Sequence, residues 1–167
     1  DFSGRIKKVN PSLIFLNGHG SSTTITGHNN EILVSVGSNE SLLSEKIVYA
    51  LSCSSAKELG PSLVNKGTKS FIGFEEDFIF MHEKDKSTRP MEDRTAELFL
   101  EPSNLVVTTL IKGNTAEEAL GRSREKFIQN LRKLMTSEST QEDKSSIPWL
   151  YWDMTHQVCL GDKSSKL

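Results

Sequence analysis

Apolar positions along this chain fall into two rhythms, and the switches between them mark its elements. Leu13-Ile14-Phe15-Leu16 is a continuous apolar run bounded by Pro11 and Gly18, which predicts a strand buried on both faces over 12–17. Ile47-Val48-Tyr49-Ala50-Leu51 repeats that pattern within 46–52, and Phe71-Ile72-Gly73-Phe74 within 69–74. Between the first two runs, the β-prone stretches 21–26 and 32–36 flank Gly27-His28-Asn29-Asn30, the pattern of a hairpin. The helical rhythm follows the second strand, where Ala56, Leu59, Leu63 and Val64 form a stripe running from Ser54 to Gly67. Pro61 predicts a kink in it. Ala96, Phe99 and Leu100 resume helical spacing, while 104–112 fits strand by Val106-Val107-Thr108-Thr109 and helix by its flanking Ser103 and Gly113. Thr115 and Glu118 make a capping box, after which Ala116, Ala119, Leu120, Phe127, Leu131 and Leu134 hold one face for about five turns. Polar stretches at 37–45, 81–91 and 136–146 predict loops, the first with room for a short helix. Trp149-Leu150-Tyr151-Trp152 and Gln157-Val158-Cys159-Leu160 predict two short closing strands. There is no internal repeat.

Buried-type strands separated by helical stripes describe an α/β fold with a mostly parallel sheet. At 167 residues the chain is sized for a single domain, 1–167. Charge removes one class of partner: 20 Lys and Arg interspersed with 22 Asp and Glu give a net −2, which offers no basic field for direct binding of nucleic acid. No apolar run approaches the roughly 20 residues that span a bilayer, and no export signal opens the chain. Cys53 and Cys159 each sit in an apolar, strand-like run, so two reduced thiols in a cytoplasmic setting are expected. The chain starts at Asp1, which suggests a piece of a longer protein, and Ser165-Lys166-Leu167 spells a peroxisomal address that is read as chance.

Two apolar runs stop at reactive side chains: the first at Asn17-Gly18-His19-Gly20, the second at Ser52-Cys53-Ser54-Ser55. In an open α/β sheet the carboxyl ends of adjacent parallel strands face the ligand crevice, so His19 and Cys53 are expected to meet there. A free thiol titrates at about 8.5 and needs help to act as a thiolate at neutral pH. A helix starting at Ser54 would supply its N-terminal field, and His19 would take the proton and return it to a leaving group. Gly20, without a side chain, and the Cys53 amide are the expected oxyanion donors. Taken singly, a buried cysteine and a His-Gly turn are ordinary structural features; their pairing at two strand ends separated by a hairpin is what favours catalysis. Cys159 reads as core, and His28, His82 and His156 as solvated or structural. No His or Cys pair has zinc spacing, so neither a metal nor another cofactor is expected.

These residues resemble a family. The strand ending Asn-Gly-His-Gly, the strand ending Leu-Ser-Cys-Ser-Ser-Ala, the following 59–67 with Phe71-Ile72-Gly73-Phe74, the Leu110-Ile111-Lys112-Gly113-Asn114-Thr115 run and the closing Leu160-Gly161-Asp162 are similar to the caspase-like cysteine peptidases, in particular the CHAT group related to separases and gingipains. The resemblance implies a caspase-hemoglobinase-like three-layer sandwich and a His-Cys dyad. It implies His19 as base, Cys53 as nucleophile, Gly20 and Cys53 as oxyanion donors, and cleavage of a protein or peptide after a selected P1 residue. Caspases read Gln-Ala-Cys where this chain has Leu51-Ser52-Cys53, and their His-to-Cys interval of roughly 50 residues is longer than the one here. Strand alternation puts Leu51 on the face of Cys53, a candidate for an apolar S1 pocket; Glu75, Glu76 and Asp77, at the end of the next strand, would instead select Lys or Arg, or simply form a solvated acidic turn.

The family usually carries further elements ahead of the histidine strand. Their absence predicts an additional chain or segment that completes the sheet, and activation of the peptidase by a regulatory sensor module in a larger assembly. Two other readings stand beside the peptidase: a catalytically silent interaction or scaffold module, and a thiol-dependent transamidase that shares the acyl-enzyme step.

Overall fold

The computed structural model describes residues 2–167. Its centre is a four-stranded sheet in the order β1 (Leu13–Asn17), β5 (Ile47–Leu51), β6 (Ser70–Phe74), β7 (Gln157–Gly161). β1, β5 and β6 run parallel, and β7 returns antiparallel along β6. The two central strands β5 and β6 are buried at every position, as continuous apolar runs require. β1 alternates, with Ile14 and Leu16 buried and Phe15 40% exposed, because it lies at the sheet edge. Phe15 is not idle there: its ring stacks on Tyr49 of β5 at 5.2 Å. A second, antiparallel sheet of β2 (His19–Gly20), β3 (Thr24–Thr26) and β4 (Ile32–Ser35) follows β1 directly.

The helices divide between the faces of the central sheet. On one side α1 (Phe2–Val9), α2 (Leu59–Asn65) and the small sheet supply Ile6, Leu59, Leu63, Ile25 and Val34 against Ile14, Leu16, Val48, Ala50 and Phe71. On the other, α3 (Arg94–Ile111) and α4 (Ala116–Leu134) supply Val106, Leu110, Ala116, Ala119 and Leu120 against Ile47, Tyr49, Leu51, Ile72 and Phe74. Side chains alternate across β5 and β6, so each strand feeds both cores. A third cluster ties α3 and α4 to α6 (Ile147–His156) through Phe99, Phe127, Leu134 and Leu150. The fold is thus mixed α/β, a mostly parallel sheet between layers of helix. No helix among the described residues is long and apolar enough to cross a membrane.

Several local expectations are corrected. The helix after β5 starts at Leu59 instead of Ser54, because residues 53–58 are spent on turns and Ser54 takes a left-handed φ of 54°. Pro61 therefore falls in the first turn of α2, where its missing N–H costs nothing and no kink follows. Residues 104–111 are helical and continue α3 through Pro102, since Val106, Thr109 and Leu110 face the core together at helical spacing. The expected strand at Trp149–Trp152 is the middle of α6: Pro148 presets its first turn, and Leu150 is buried among aromatic rings of α3 and α4. The polar stretch at 136–146 contains α5 (Gln141–Ser145), nucleated by a second capping box of Thr140 and Asp143. The predicted capping box of α4 is formed, with Thr115 Oγ1 accepting from Glu118 N–H at 3.2 Å and Glu118 accepting from Thr115 N–H at 2.8 Å.

Because Phe127 is fully buried where α3, α4 and α6 meet, Phe127→Ala should cost about 3–5 kcal/mol, whereas Thr115→Ala should cost about 1 kcal/mol through loss of the cap. Chemical denaturation of both variants checks the ranking; equal losses would mean that the three-helix cluster is not a principal store of stability.

Candidate active site

Parallel pairing brings the two reactive segments to one rim of the sheet. The β1–β5 register ends with Asn17 beside Leu51, and Gly18 N–H donates to Leu51 O at 3.4 Å. Beyond this point His19-Gly20 and Ser52-Cys53 run side by side. A Cβ on Gly20 would lie 2.3 Å from the Cys53 carbonyl oxygen and 2.9 Å from its nitrogen, so only glycine allows this approach of backbone to backbone. His19 itself is exposed on β2, and Cys53 is half-buried and free.

The amides beside the thiol are available. Ser21 N–H donates to Thr24 O at 2.9 Å, and hydrogen-bonded pairs alternate along an antiparallel ladder, so His19↔Thr26 is the next bonded pair and Gly20↔Ile25 an unbonded one. The Gly20 N–H consequently points away from β3. The Cys53 N–H has no backbone acceptor among the described residues and faces its own sulfur, while those of Ser54 and Ala56 are taken by the carbonyls of Glu76 and Phe74 at 3.0 and 2.9 Å.

Cys53 Sγ makes its hydrogen bond to the Phe78 carbonyl, 3.9 Å away, and not to His19. Burial raises the thiol above its ordinary pKa, with the Asp77 and Asp153 carboxylates acting in the same direction and a backbone hydrogen bond of Phe78 against them. The helix field expected to lower it is missing, because the late start of α2 removes its N-terminus from Cys53. In this state the sulfur is held as a thiol.

The acidic residues after β6 are engaged. Glu76 pairs with Lys57 at 2.8 Å, Asp77 Oδ1 accepts from Ser54 Oγ at 2.9 Å, and Glu75 N–H donates to His156 O at 2.9 Å. Asp77 and Glu76 thereby tie their segment to the turn that carries Cys53. Leu51 is the last residue of β5 and is buried among Phe74, Val106 and Leu110 on the α3/α4 side. Cys159 is buried in β7, where desolvation pushes its thiol up to about 11.

Sequence reasoning missed Asp153. It lies on α6 with no exposed surface, and Oδ1 accepts from Ile79 N–H at 2.9 Å while Oδ2 has no partner among the described residues. Burial pushes its carboxyl up to about 8. The neighbouring Trp152 indole N–H donates to Asp77 O at 3.0 Å. A lone acid inside Leu150-Tyr151-Trp152-Asp153-Met154 was the available signal; read as strand, the run gave no reason to bury it, whereas the helical period places it with Leu150 on the inner face.

Comparison with known proteins finds no matching family model and no matching curated sequence.

Asp153 sets the sign of one pH effect. Its folded pKa of about 8 exceeds the unfolded value of about 3.9, so the folded state binds the extra proton between them, and this contribution to stability is full below about pH 4 and lost as pH rises to 8. Asp153→Asn should flatten the fall in unfolding free energy over that window, measured by denaturation at a series of pH values. A slope unchanged in the variant would rule out the buried acid as its source.

Proposed function

We propose that this chain is a cysteine endopeptidase of the caspase-like kind, with Cys53 as nucleophile and His19 as general base. The observation that carries the reading is the backbone contact of Gly20 with Cys53 at the carboxyl ends of two adjacent parallel strands, which sets the imidazole-bearing segment beside the thiol, with the Gly20 amide in an unbonded ladder pair and the Cys53 amide without a backbone acceptor among the described residues. The chemistry follows from these groups. His19 removes the Cys53 proton, and the sulfur adds to the scissile carbonyl. Its oxygen, gaining negative charge, is received by the Gly20 and Cys53 N–H groups. The proton held by His19 passes to the departing amine, leaving a thioester that water, activated by the same imidazole, then hydrolyses.

A positive φ at Ser54, immediately after the nucleophile, supports the reading. An ordinary side chain in that region is a strained position of the kind found at functional sites, and it turns the chain sharply so that Cys53 stands at the rim. The caspase-hemoglobinase-like sandwich is the finer fold that accompanies this reading, and the unpaired outer side of β1 is where an additional chain or segment would complete the sheet. The silent-scaffold reading draws on the thiol's hydrogen bond to Phe78 and its raised pKa, both features of a nucleophile at rest. Activation within a larger sensor assembly reconciles the two, because a partner that moves the Phe78 segment would free the sulfur.

The test is cleavage of a peptide library carrying Lys, Arg or a large apolar residue at P1, with products identified by mass. Wild type should cleave, Cys53→Ala should not, and His19→Ala should lose about 10²–10⁴-fold. Turnover that survives Cys53→Ala would overturn the assignment; products joined to an added amine in place of water would make the enzyme a transamidase.

A further inference from the structure

One peptide unit links the thiol to the buried acid. The Phe78 carbonyl receives the Cys53 thiol at 3.9 Å, and the N–H on the other side of that same peptide, Ile79, donates to Asp153 Oδ1 at 2.9 Å. A peptide group is planar and rigid, so fixing its N–H fixes the direction of its carbonyl. The neighbouring contacts reinforce the hold: the Trp152 indole binds Asp77 O at 3.0 Å, and the Phe78 ring packs on Phe74 at 4.9 Å. We infer that Asp153 is a positioning residue for Cys53, acting through the Phe78–Ile79 peptide to hold the segment after β6 against the thiol in the resting state.

Burying a carboxyl completely, with one oxygen lacking a partner among the described residues, costs stability, and an apolar residue at this inner position of α6 would pack without that cost. The retained acid is accounted for by the only hydrogen bond it makes among the described residues, the one to the peptide that faces Cys53. Asp153 also acts on the sulfur through space, since its charge raises the Cys53 pKa. The ionisable groups facing the pair are Asp77 from the segment after β6 and Tyr49 from β5, with His19 on the adjoining β2 segment. Because Asp153 ionises near pH 8, below the raised thiol, its charge appears while the sulfur is beginning to titrate, and the two losses of a proton interfere.

The inference takes Cys53 as the reactive thiol of the proposed dyad, but its test reads thiol chemistry alone. The rate of Cys53 alkylation by iodoacetamide is followed by peptide mass spectrometry from pH 6 to 11 in wild type, Asp153→Leu, Asp153→Asn and Thr68→Ala. The last removes a buried hydrogen bond, Thr68 Oγ1 to Leu43 O at 3.0 Å, at the opposite end of the sheet. Wild type should give a profile flatter than a one-proton curve. Asp153→Asn keeps an acceptor for the Ile79 N–H and removes only the charge, so its curve should shift to lower pH, whereas Asp153→Leu also releases the Phe78–Ile79 peptide and should alkylate several-fold faster than Asp153→Asn across the range; Thr68→Ala should match wild type. Equal alkylation rates for folded Asp153→Leu and Asp153→Asn would overturn the inference. Should Leu not fold, Asp153→Ala serves in its place. A chain that alkylates as expected and cleaves no peptide loses the peptidase reading and keeps this one.

Discussion

The parallel pairing of β1 with β5 is the constraint from which the candidate site follows. Parallel neighbours end at the same rim, and here the register brings Asn17 level with Leu51, so the residues after each strand emerge together. Gly20 then closes the remaining distance, because any Cβ there would collide with the Cys53 backbone. Without the pairing, the imidazole and the sulfur would be two unrelated surface groups. With it, they share a rim with two amides left over from the ladder and the turn.

A second set of contacts governs the state of that rim. After β6 the chain does not leave the site but crosses back over it, pinned to the Cys53 turn by Lys57–Glu76 and Ser54–Asp77 and to α6 by Trp152 and Asp153. Lys57–Glu76 is solvent-exposed and contributes little to stability on its own. The Asp153–Ile79 bond is different, since its acceptor is fully buried, and breaking it leaves that acid without its one side-chain hydrogen bond among the described residues. The geometry is that of a half-buried thiol whose hydrogen bond goes to the segment after β6.

The fold was legible where pattern and burial coincide. Continuous apolar runs mark β1, β5 and β6 because strands covered on both faces need no polar positions, and the Thr115 capping box marks α4 because its chemistry is local to a few residues. Errors arose where neighbours overrode a local signal. Trp149-Leu150-Tyr151-Trp152 has strand-like composition, but Phe99, Phe127 and Leu134 offer a hydrophobic wall that a helix can meet with one face. Ser54 to Glu58 reads as the start of a helix, yet Ser54 takes a left-handed φ of 54°, and its N–H and that of Ala56 are tied to the carbonyls of Glu76 and Phe74, which hold the segment in turns.

Residue identity alone marked two cysteines each in an apolar run, a histidine ahead of a glycine, and a nucleophile candidate at the end of a buried strand. These are properties of side chains and of short apolar runs, and they need no partner to be read. Tertiary structure alone decided that Cys53 is covered by Phe78, that its thiol is raised and not lowered, and that Asp153 stands behind it. A pKa and a hydrogen bond depend on distances between segments remote along the chain, and only packing fixes those distances.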